Sequence, residues 1–489
     1  MEQEQNLNAI LQARREKLAN LIEAGKDPYE VTSFDKQNEI KDIVDNFADY
    51  EGKTVKIAGR VMAKRVMGKA SFANIQDENG KIQLYVSRDN LGEEEYATYK
   101  KLDIGDIIGL EGEVFLTHKE EKSVRVTSYI LLSKSLQPLP EKFHGLKDTD
   151  LRYRERYVDL IVNPEVKDTF VKRFKVIKTI RDFLDNQGYI EFETPILSTI
   201  SGGANARPFI THHKTLDLDM YLRIATELHL KRLVVGGFEK VYEIGRLFRN
   251  EGMSIRHNPE FTSIEIYTAY HDYNATMDLT ENIIKKCAEN ACGTLKVTYE
   301  DTDIDFGKFA KIPMIDIVKR ETGVDFTDLD DGQAIAAAKK LGIEIELPAS
   351  WGEILNIIFE EKCESTLMQP TFIIDYPVAV SPLAKKKPSD KRLTERFELF
   401  VYGRELANGF SELNDPIDQY ERFKEQQLAK DSGDEEASMM DKDYVKALEI
   451  GLPPTGGVGI GIDRLVMFLT NSQSIRDVLA FPTMKPIAE

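Results

Sequence analysis

Two arginines at the ends of one polar loop are the first side chains in this sequence that could do chemistry. Arg249 and Arg256 enclose a short loop between two β-like runs. A guanidinium group binds phosphate through two parallel hydrogen bonds and cannot be deprotonated, so this pair is typical of a clamp for a polyphosphate. A long hairpin that carries surface ion pairs is the alternative for this loop taken alone.

A glycine-rich strand that runs into a helix forms a second candidate, at residues 451–469. Gly457, Gly459 and Gly461 would let a ligand pack flat against the strand. Arg464 stands at the predicted start of the helix, where the helix dipole and the free amide groups already favour anions. The segment is not a G-x-G-x-x-G fingerprint and the chain has no P-loop pattern, so neither kind of nucleotide site is supported.

Glutamates inside apolar strands form a third candidate. Residues 396–412 read as a hairpin rather than a helix because aromatic residues alternate along them, and Glu398, Glu405 and Glu412 recur within this pattern. Burying a carboxylate is costly unless a cation pairs with it, and Mg²⁺ that bridges polyphosphate oxygens commonly takes one or two carboxylates. The alternative for any one of these glutamates is a place on the wet face of an antiparallel strand.

The composition is that of an ordinary soluble globular protein. The chain has 489 residues, of which 42% are hydrophobic and 30% charged, and this length predicts about two to four domains. No uncharged apolar run approaches the roughly 18 residues that span a bilayer, and the first residues, Met1 to Gln5, lack the basic-then-apolar order of a secretion signal, so we expect a cytoplasmic protein. Three cysteines without C-x-x-C spacing argue against a disulfide framework or a structural zinc site.

A helix and then a small barrel are predicted for the N-terminal part. Apolar residues recur at near-heptad spacing over residues 6–24, and Gly25 and Pro28 are stop signals. Short alternating segments follow between residues 54 and 133, separated by turns such as Asn79-Gly80. The five strands read from these segments suggest a small closed barrel.

One stretch of that barrel is basic although the whole chain is acidic. Residues 53–76 contain several lysines and arginines, Arg65 among them, and no acidic residue, whereas the formal net charge of the chain is −18. Such a strand beside an exposed aromatic residue, here Phe72, is what a five-stranded oligonucleotide-binding barrel offers a single strand: phosphate neutralisation and a base-stacking platform. A solvated basic face with Phe72 in the core is the alternative.

A second, larger domain is predicted to follow the barrel. Residues 165–187 read as a helix with Phe174, Ile180 and Leu184 on one apolar face. Alternating β segments come next, and helical sequence interrupts them at about residues 275–365. Because strands and helices do not alternate strictly, we expect an antiparallel or mixed sheet, and an α+β fold for the chain.

Taken together and in chain order, residues 188–197 and the three candidate segments resemble the signature motifs of the class II aminoacyl-tRNA synthetases. The resemblance covers essentially the whole chain. It implies a helical extension at residues 1–50, an OB-fold barrel that binds the anticodon at 51–140, and a catalytic domain at 141–489 with a mainly helical insertion at about 275–365. The catalytic domain of this family is an antiparallel sheet flanked by helices.

The subgroup with an N-terminal barrel contains lysine, aspartate and asparagine enzymes, and details of the motifs are similar to the lysine enzymes. These details lie at residues 201–204, 225–230, 256–261 and 405–412. An aspartate enzyme must present cations to a side-chain carboxylate, whereas glutamates can surround an ammonium group with acceptors. The resemblance therefore implies activation of L-lysine with ATP to lysyl-adenylate and pyrophosphate, followed by transfer of lysine to the terminal ribose hydroxyl of tRNA(Lys).

The resemblance also implies a role for each matching residue. Arg249 would hold the ATP α-phosphate and the lysine carboxylate, and Arg464 the γ-phosphate, as the catalytic pair. The other implied ATP-binding positions are Glu251, His257, Asn258, Phe261 and Glu405. The implied lysine pocket consists of Gly203, Ala225, Glu227, Arg249, Glu265, Tyr267, Asn408 and Glu412. Mg²⁺ is implied at Glu398 and Glu405, and anticodon binding at Arg65, Phe72 and Gln83.

A homodimer is the implied assembly, because Pro195 belongs to the family motif that packs across a two-fold axis; a simple strand-end turn competes with this interpretation. Two rival functions also compete. A paralogue that activates lysine but charges a protein would lack the N-terminal barrel. A non-enzymatic RNA-binding protein with a degenerate synthetase domain would not need Arg249, Arg464, Glu398 and Glu405 intact.

Overall fold

The computed structural model describes residues 2–140, 146–434 and 436–487. The chain forms two compact units, Met1–Lys147 and Asp148–Glu489. The first unit holds a helix and a barrel, and the second holds a large sheet with its helices. Within the described ranges, no helix is both long enough and apolar enough to cross a membrane.

A closed five-stranded barrel forms the centre of the first unit, as the alternating segments predict. Its strands are β1 (Thr54–Met67), β2 (Ala70–Gln76), β3 (Lys81–Ser87), β4 (Ile107–Leu116) and β5 (Lys122–Ser133). They pair in the order β1-β2-β3-β5-β4 and close on themselves. Alternate side chains of β1, such as Val55, Ile57 and Val61, are buried in the barrel core, so the period of two in the sequence decides which face points inward.

Short helices and one long N-terminal helix accompany the barrel. They are α1 (Glu2–Glu23), α2 (Ile40–Asp45), α3 (Phe47–Tyr50), α4 (Arg88–Leu91) and α5 (Glu93–Tyr99). Helix α1 ends just before Gly25, whose φ of 70° is the left-handed conformation that glycine adopts without strain.

A buried polar residue attaches helix α1 to the barrel, and the apolar stripe of the helix is half-buried at Leu11, Leu18 and Leu21. Leu7, Ile10 and Ile22 are exposed. The buried Arg14 donates hydrogen bonds to backbone oxygens on the barrel side, including that of Ser135 at 2.8 Å. The near-heptad spacing therefore identified the helix but not the means of its attachment.

A mixed sheet of eight strands forms the second unit. The strands of this unit are β6 (Ile190–Glu191), β7 (Leu197–Ser198), β8 (Ile210–His213), β9 (Leu218–Leu222), β10 (Lys240–Phe248), β11 (Glu260–Ala269), β12 (Lys296–Tyr299), β13 (Thr302–Asp305), β14 (Ala310–Pro313), β15 (Thr371–Ile374), β16 (Arg396–Val401), β17 (Arg404–Ser411) and β18 (Thr455–Gly461). The large sheet has the order β14-β15-β16-β17-β18-β11-β10-β6. Its two outermost pairs are parallel and its central pairs antiparallel, which agrees with the expected antiparallel or mixed sheet.

Helices pack against both faces of this sheet. Those of the second unit are α6 (Thr149–Arg154), α7 (Arg156–Val162), α8 (Glu165–Asp185), α9 (Glu227–Val235), α10 (Tyr273–Cys292), α11 (Met314–Thr322), α12 (Asp331–Lys340), α13 (Trp351–Lys362), α14 (Pro416–Asp431), α15 (Lys442–Gly451), α16 (Ile462–Thr470) and α17 (Ile475–Val478). Side chains of α8, α10 and α16 share a core with Ile264 of β11 and Ile460 of β18. The alternate side chains of those strands face the other way.

The predicted helix at residues 165–187 is α8, but its apolar stripe does not lie wholly in the core. Ile180 and Leu184 are buried, whereas Phe174 is 65% exposed and Val171 is 50% exposed. At about 100° per residue, Phe174 lies roughly 120° around the helix from Ile180, so one core cannot cover both. These two exposed side chains form an apolar patch on α8.

Between residues 275 and 365 the chain forms most of α10, the β12–β13 hairpin, β14 and helices α11, α12 and α13. The last three helices share an apolar core that includes Ile317, Ala338 and Ile354. Trp351 begins α13, and its ring nitrogen donates a hydrogen bond to the Phe326 backbone oxygen at 3.0 Å.

Candidate active site

A cavity of about 360 Å³ lies against the central strands of the large sheet. Its wall includes Phe261, Ser263, Glu265 and Tyr267 of β11, whereas the intervening Ile264 lies in the core on the other face. Because side chains alternate along a strand, β11 directs these four side chains to the cavity and Ile264 to the core on the opposite face.

The strand register brings residues that are distant in sequence into one row. Glu398 of β16 pairs with Asn408 of β17, and Asn408 pairs in turn with Gly459 of β18. Gly459 pairs with Glu265 of β11. Because directly opposite residues on neighbouring strands point to the same face, the four strands present these positions side by side on the cavity face.

A β-bulge in β17 determines the direction of Glu405. Leu399 pairs with Ala407 and Phe400 pairs with Glu405, so Leu406 is the extra residue. Without the bulge, Glu405 would point away from the face that bears Asn408, because the two positions are three residues apart. With it, Glu405 and Asn408 line the same cavity.

Glycines of β18 form the floor of the cavity. Gly457, Gly459 and Gly461 line it, as the glycine-rich pattern led us to expect. A Cβ at position 459 would meet no atom closer than 3.8 Å, so the floor there is open to a ligand. A Cβ at position 457 would overlap the Glu412 carboxylate and lie 2.5 Å from the Tyr267 ring, so Gly457 makes room for those two side chains.

Arg249 makes one part of the cavity cationic. Its guanidinium lies over the Phe261 ring at 5.3 Å from the centroid. Its backbone N–H bonds the Pro259 oxygen at 2.9 Å, which fixes the base of the loop between β10 and β11. The buried Nε of Arg249 donates no hydrogen bond to any described residue. A buried guanidinium N–H without an acceptor suits an anionic ligand.

Arg464 adds a second cation from the first turn of α16. Its guanidinium donates a hydrogen bond to the Glu405 backbone oxygen and lies 3.6 Å from the Glu405 carboxylate. The preceding Asp463 accepts a hydrogen bond from the Thr262 backbone N–H at 2.8 Å and pairs with Arg173. These bonds tie the start of α16 to β11 and α8, and so fix the place from which Arg464 extends.

The polar loop between β10 and β11 supplies further lining residues, among them Glu251, His257 and Asn258. Asn258 is buried, and its side-chain amide donates a hydrogen bond to the Glu260 backbone oxygen at 2.7 Å. Burial, and then the charge of Arg464, lower the pKa of His257. Its ring is therefore neutral near pH 7 and can accept as well as donate a hydrogen bond.

Buried carboxylates form an acidic part of the cavity, together with the lining residues Gly203 and Ala225. Glu227, Glu265 and Glu412 are all buried. Burial, and then the charge of Glu227, raise the pKa of Glu265 to about 7, and burial raises the pKa of Glu412 well above its ordinary value. Three acids crowded in this way suit ligand groups that carry positive charge.

Hydrogen bonds orient Glu265 within this group. The Thr226 backbone N–H donates to Glu265 Oε1 at 3.0 Å, and the Tyr267 hydroxyl donates to Glu265 Oε2 at 3.0 Å. Both donors bond to the ionised form and thereby oppose the effect of burial. The carboxylate is fixed in direction before any ligand arrives.

Glu398 lies beside the cavity rather than among the residues that line it. Arg396 pairs with it at 2.5 Å and the Tyr376 hydroxyl donates to it at 2.9 Å. Burial raises the pKa of Glu398 to about 7, with Arg396 opposing and Glu405 adding to the shift. Burial, and then the charge of Glu398, likewise raise the pKa of Glu364 to about 7.

These carboxylates have the chemistry of a divalent-cation site. No cluster of three or more metal-ligating side chains is present in the described ranges. Burial and the charge of Glu405 nevertheless both raise the pKa of Glu398, so the two carboxylates repel each other. A cation whose remaining ligands are phosphate oxygens and water needs only one or two protein carboxylates, and it would relieve that repulsion.

The first unit carries the residues expected to bind RNA. Arg65 pairs with Phe72 across β1 and β2, and Phe72 pairs with Tyr85 across β2 and β3. The rings of Phe72 and Tyr85 have centroids 5.4 Å apart. Phe72 is half-buried and lies outside the barrel core, which favours a surface platform over a core residue. Gln83 is half-buried and donates to the Ser123 hydroxyl at 2.9 Å.

Several cations of the basic stretch already form hydrogen bonds or ion pairs within the barrel unit. Arg60 and Lys64 donate hydrogen bonds to backbone oxygens, and Lys56 lies within 3.6 Å of two carboxylates. Burial lowers the pKa of Lys64 to about 8. Lys53, Arg65 and Lys69 are exposed to solvent, and of these Arg65 lies beside Phe72.

The structure brings together nearly all the residues that the sequence implied for the second unit. Every one of them except Glu398 lines the cavity. Sequence reasoning missed Lys231 and Arg396, which pair with predicted site residues. Lys231 stands four residues after Glu227 on a helix, and that spacing could have revealed it. Glu364 comes from a separate segment, and no local signal identifies it.

Comparisons with known proteins match both units. Residues 148–485 match the family model for tRNA synthetases class II (D, K and N), and residues 55–132 match that for OB-fold nucleic acid binding domains. A lysine–tRNA ligase of a Thermoanaerobacter species is 58% identical over 484 residues, which are 99% of this chain and 97% of the relative. Lysine–tRNA ligases of Carboxydothermus hydrogenoformans and Clostridium perfringens are 58% and 57% identical over 99% of this chain, and over 99% and 98% of their own.

The glycine floor yields a matched pair of substitutions. Gly457→Ala forces a methyl group into the Glu412 carboxylate and the Tyr267 ring, so we expect it to lower the free energy of unfolding by about 1–3 kcal/mol. Gly459→Ala meets open space, and we expect it to leave that free energy unchanged or raise it by up to about 1 kcal/mol. Thermal denaturation of the two variants measures the difference; equal losses would contradict this description of the floor.

Proposed function

The chain belongs to the class II tRNA synthetases of the aspartate, lysine and asparagine group, and from that membership we propose that it ligates L-lysine to tRNA(Lys). It first activates L-lysine with ATP, giving lysyl-adenylate and pyrophosphate, and then transfers lysine to the terminal ribose hydroxyl of the tRNA. A reaction that supplies protein synthesis belongs where the ribosomes are, so we expect the enzyme in the cytoplasm.

One observation carries the choice of substrates: a single cavity is lined by three arginines, Arg249, Arg256 and Arg464, and by three buried glutamates. Polyphosphate and a carboxylate fit the arginines, and an amino acid with two ammonium groups fits the glutamates. An aspartate side chain would instead place a fourth carboxylate among them. The acidic part of the cavity therefore supports lysine over the other two amino acids of the group.

Catalysis in this proposal consists of positioning and charge stabilisation. The lysine carboxylate attacks the α-phosphorus of ATP in line, the new P–O bond forms, and pyrophosphate leaves with the electron pair of the broken bond. Arg249 contacts both the carboxylate and the α-phosphate, and Arg464 neutralises the γ-phosphate as it departs. No protein nucleophile is needed, because the substrate itself provides one.

The remaining contacts follow from their places in the cavity. Glu251, His257, Asn258, Phe261 and Glu405 bind the adenine and the bent triphosphate. Gly203, Ala225, Glu227, Glu265, Tyr267, Asn408 and Glu412 form the lysine pocket. Glu398 and Glu405 would hold Mg²⁺, which when bound neutralises phosphate charge.

Amino-acid-dependent exchange of pyrophosphate into ATP tests the activation step without tRNA. Across the twenty amino acids we expect exchange with lysine alone. Arg249→Ala should slow that exchange on the order of a hundredfold or more, because it removes a cation that contacts both reacting groups.

Arg320→Ala is the matched control, since Arg320 is an exposed arginine of α11 that pairs with its neighbour Glu321. It should leave the exchange rate unchanged. Exchange with aspartate or asparagine would refute the assigned lysine pocket. Absence of exchange with every amino acid would refute the activity. An unchanged exchange rate in Arg249→Ala would refute the role of this arginine.

The barrel is proposed to bind the anticodon through Arg65, Phe72 and Gln83. Phe72 provides a ring on which a base can stack, Gln83 provides an amide for base edges, and Arg65 lies opposite Phe72 in the strand register. An exposed cation beside the platform can neutralise a phosphate.

Phe72→Ala should raise the KM for tRNA by about one to two orders of magnitude, because stacking contributes roughly 1–3 kcal/mol per base. Pyrophosphate exchange should be unchanged, since the cavity lies in the other unit. Tyr29→Ala, which removes another exposed aromatic of the same unit, is the control. An unchanged KM for tRNA in Phe72→Ala would contradict the platform.

A homodimer is the proposed assembly, and the apolar patch on α8 supports it. Val171 and Phe174 are three residues apart on one side of the helix and remain exposed. Arg181 pairs with Glu191 at 2.9 Å, which places β6 beside this helix, and Ile190 of β6 is 47% exposed. Exposed apolar side chains grouped on one side of an element mark surfaces that other chains cover.

The double substitution Val171→Asp with Phe174→Asp should convert the dimer to a monomer in sedimentation velocity, because it places charges at the centre of an apolar contact. Ile450→Asp at the end of α15 is the control, since Ile450 is 75% exposed and lies outside the patch. If the double variant sediments as a dimer, the patch is not the interface.

A further inference from the structure

Lys231 is a fully buried lysine next to the acidic part of the cavity. It extends from α9, pairs with Glu227 at 2.5 Å, and forms a second ion pair with Glu412, which follows β17. The Lys231 side chain has no exposed surface, and it does not itself line the cavity. Lysine is almost never fully buried unless its charge is paired, so the two glutamates are the reason that it can lie there.

Aromatic rings complete the surroundings of the Lys231 ammonium group. The centroids of Tyr267, Phe410 and Tyr444 lie 5.9, 5.4 and 5.9 Å from Nζ. These rings exclude water and attract the cation. Burial alone would lower the pKa of Lys231, but the charges of Glu227 and Glu412 outweigh it and raise that pKa, so the group stays charged.

We infer that Lys231 is a positioning residue for L-lysine, which holds one oxygen each of Glu227 and Glu412 and cancels one of the three glutamate charges in the pocket. This inference rests on the proposed function. Nζ contacts Oε1 of Glu227 and Oε2 of Glu412. The second oxygen of Glu412, Oε1, accepts no hydrogen bond from any described residue and lies against Gly457 of the cavity floor.

A count of charges supports the same role. Glu227, Glu265 and Glu412 bring three negative charges, and Lys231 brings one positive charge. L-lysine brings two ammonium groups, and its carboxylate is directed to Arg249. The pocket with its substrate is then neutral only if Lys231 is counted.

Other cations nearby are already engaged. Arg396 pairs with Glu398 at 2.5 Å, and Arg464 lies 3.6 Å from Glu405. Neither forms an ion pair with the three glutamates of the pocket, although the charge of Arg396, from a distance, opposes the burial that raises the pKa of Glu227. Lys231 is therefore the described cation that contacts them in the absence of substrate.

Lys231→Met keeps much of the side-chain volume and removes the charge. We expect the KM for lysine in pyrophosphate exchange to rise about tenfold or more, because Glu227 and Glu412 lose the group that holds them. The KM for ATP should stay within about twofold. A raised KM for lysine with an unchanged KM for ATP distinguishes a role in the lysine pocket from a general loss of structure.

The pH dependence gives a second readout. In the variant the carboxylates lack one counter-charge, so their pKa values rise further, and binding of the two ammonium groups of lysine displaces more protons. The KM for lysine should then fall more steeply in the variant than in the unmodified enzyme as the pH rises from 7 to 8.5. The other groups that face these carboxylates are Glu265 and Tyr267 on β11 and Tyr444 on α15, and the raised pKa of each tyrosine keeps it neutral in this range.

Lys285→Met is the matched control. Lys285 pairs with Glu281 at 2.5 Å with the same four-residue spacing on α10, but it does not line the cavity. It should change neither KM nor the pH profile. If Lys231→Met leaves the KM for lysine and its pH profile unchanged while the melting temperature falls, Lys231 is a structural residue and the inference is wrong.

Infrared difference spectra of the unmodified enzyme provide a test that does not depend on the variant folding. Lysine binding should remove the protonated-carboxyl bands of the pocket and leave none. A protonated-carboxyl band that persists in the lysine complex and disappears in Glu412→Gln would overturn the inference. Absence of lysine-dependent exchange in the unmodified enzyme would instead overturn the proposed function, so the two failures are distinguishable.

Discussion

The cost of keeping carboxylates out of water governs the arrangement of the cavity. An ionised carboxylate is stable in a buried place only if a cation or several hydrogen-bond donors face it. Lys231 does this for Glu227 and Arg396 for Glu398, while backbone and hydroxyl donors face Glu265. The compensation is incomplete, since the pKa of Glu265 is still raised to about 7. A cationic ligand supplies the missing positive charge, and this charge pairing is the physical basis on which the cavity recognises its ligand.

The large sheet turns this local requirement into an ordered site. Strand β11 passes along the whole cavity, from Phe261 beneath Arg249 to Tyr267 beside Lys231. These two positions on β11 are six residues apart, or about 20 Å along an extended strand. Groups for anions and groups for cations are thus placed toward opposite ends of one strand. The glycines of β18 keep the floor between them clear.

Local sequence patterns were sufficient to predict the secondary-structure elements, but they did not predict every contact between them. Alternation predicted the strands of the barrel and of the large sheet, because a period of two is a property of each strand alone. The motifs identified Arg249 and Arg464 because each lies in a short continuous segment of sequence. They did not reveal that Glu364 faces Glu398, since that proximity depends on segments far apart in the chain. Nor did periodicity show that Phe174 lies outside the core, because the width of an apolar stripe does not tell how much of it a neighbour covers.

The extra residue at Leu406 has a consequence for how this hairpin can vary over evolution. Side chains of β17 before and after the bulge keep their directions only while the number of residues between them is constant. A substitution at Leu406 alters one contact, but a one-residue deletion would turn Glu405 to the face that α8, α10 and α16 cover while Asn408 stayed in place. Descendants of this gene can therefore drift in composition along β17 much more freely than in length, and a single lost codon there would be lethal to activity although every motif residue remained in the translated chain.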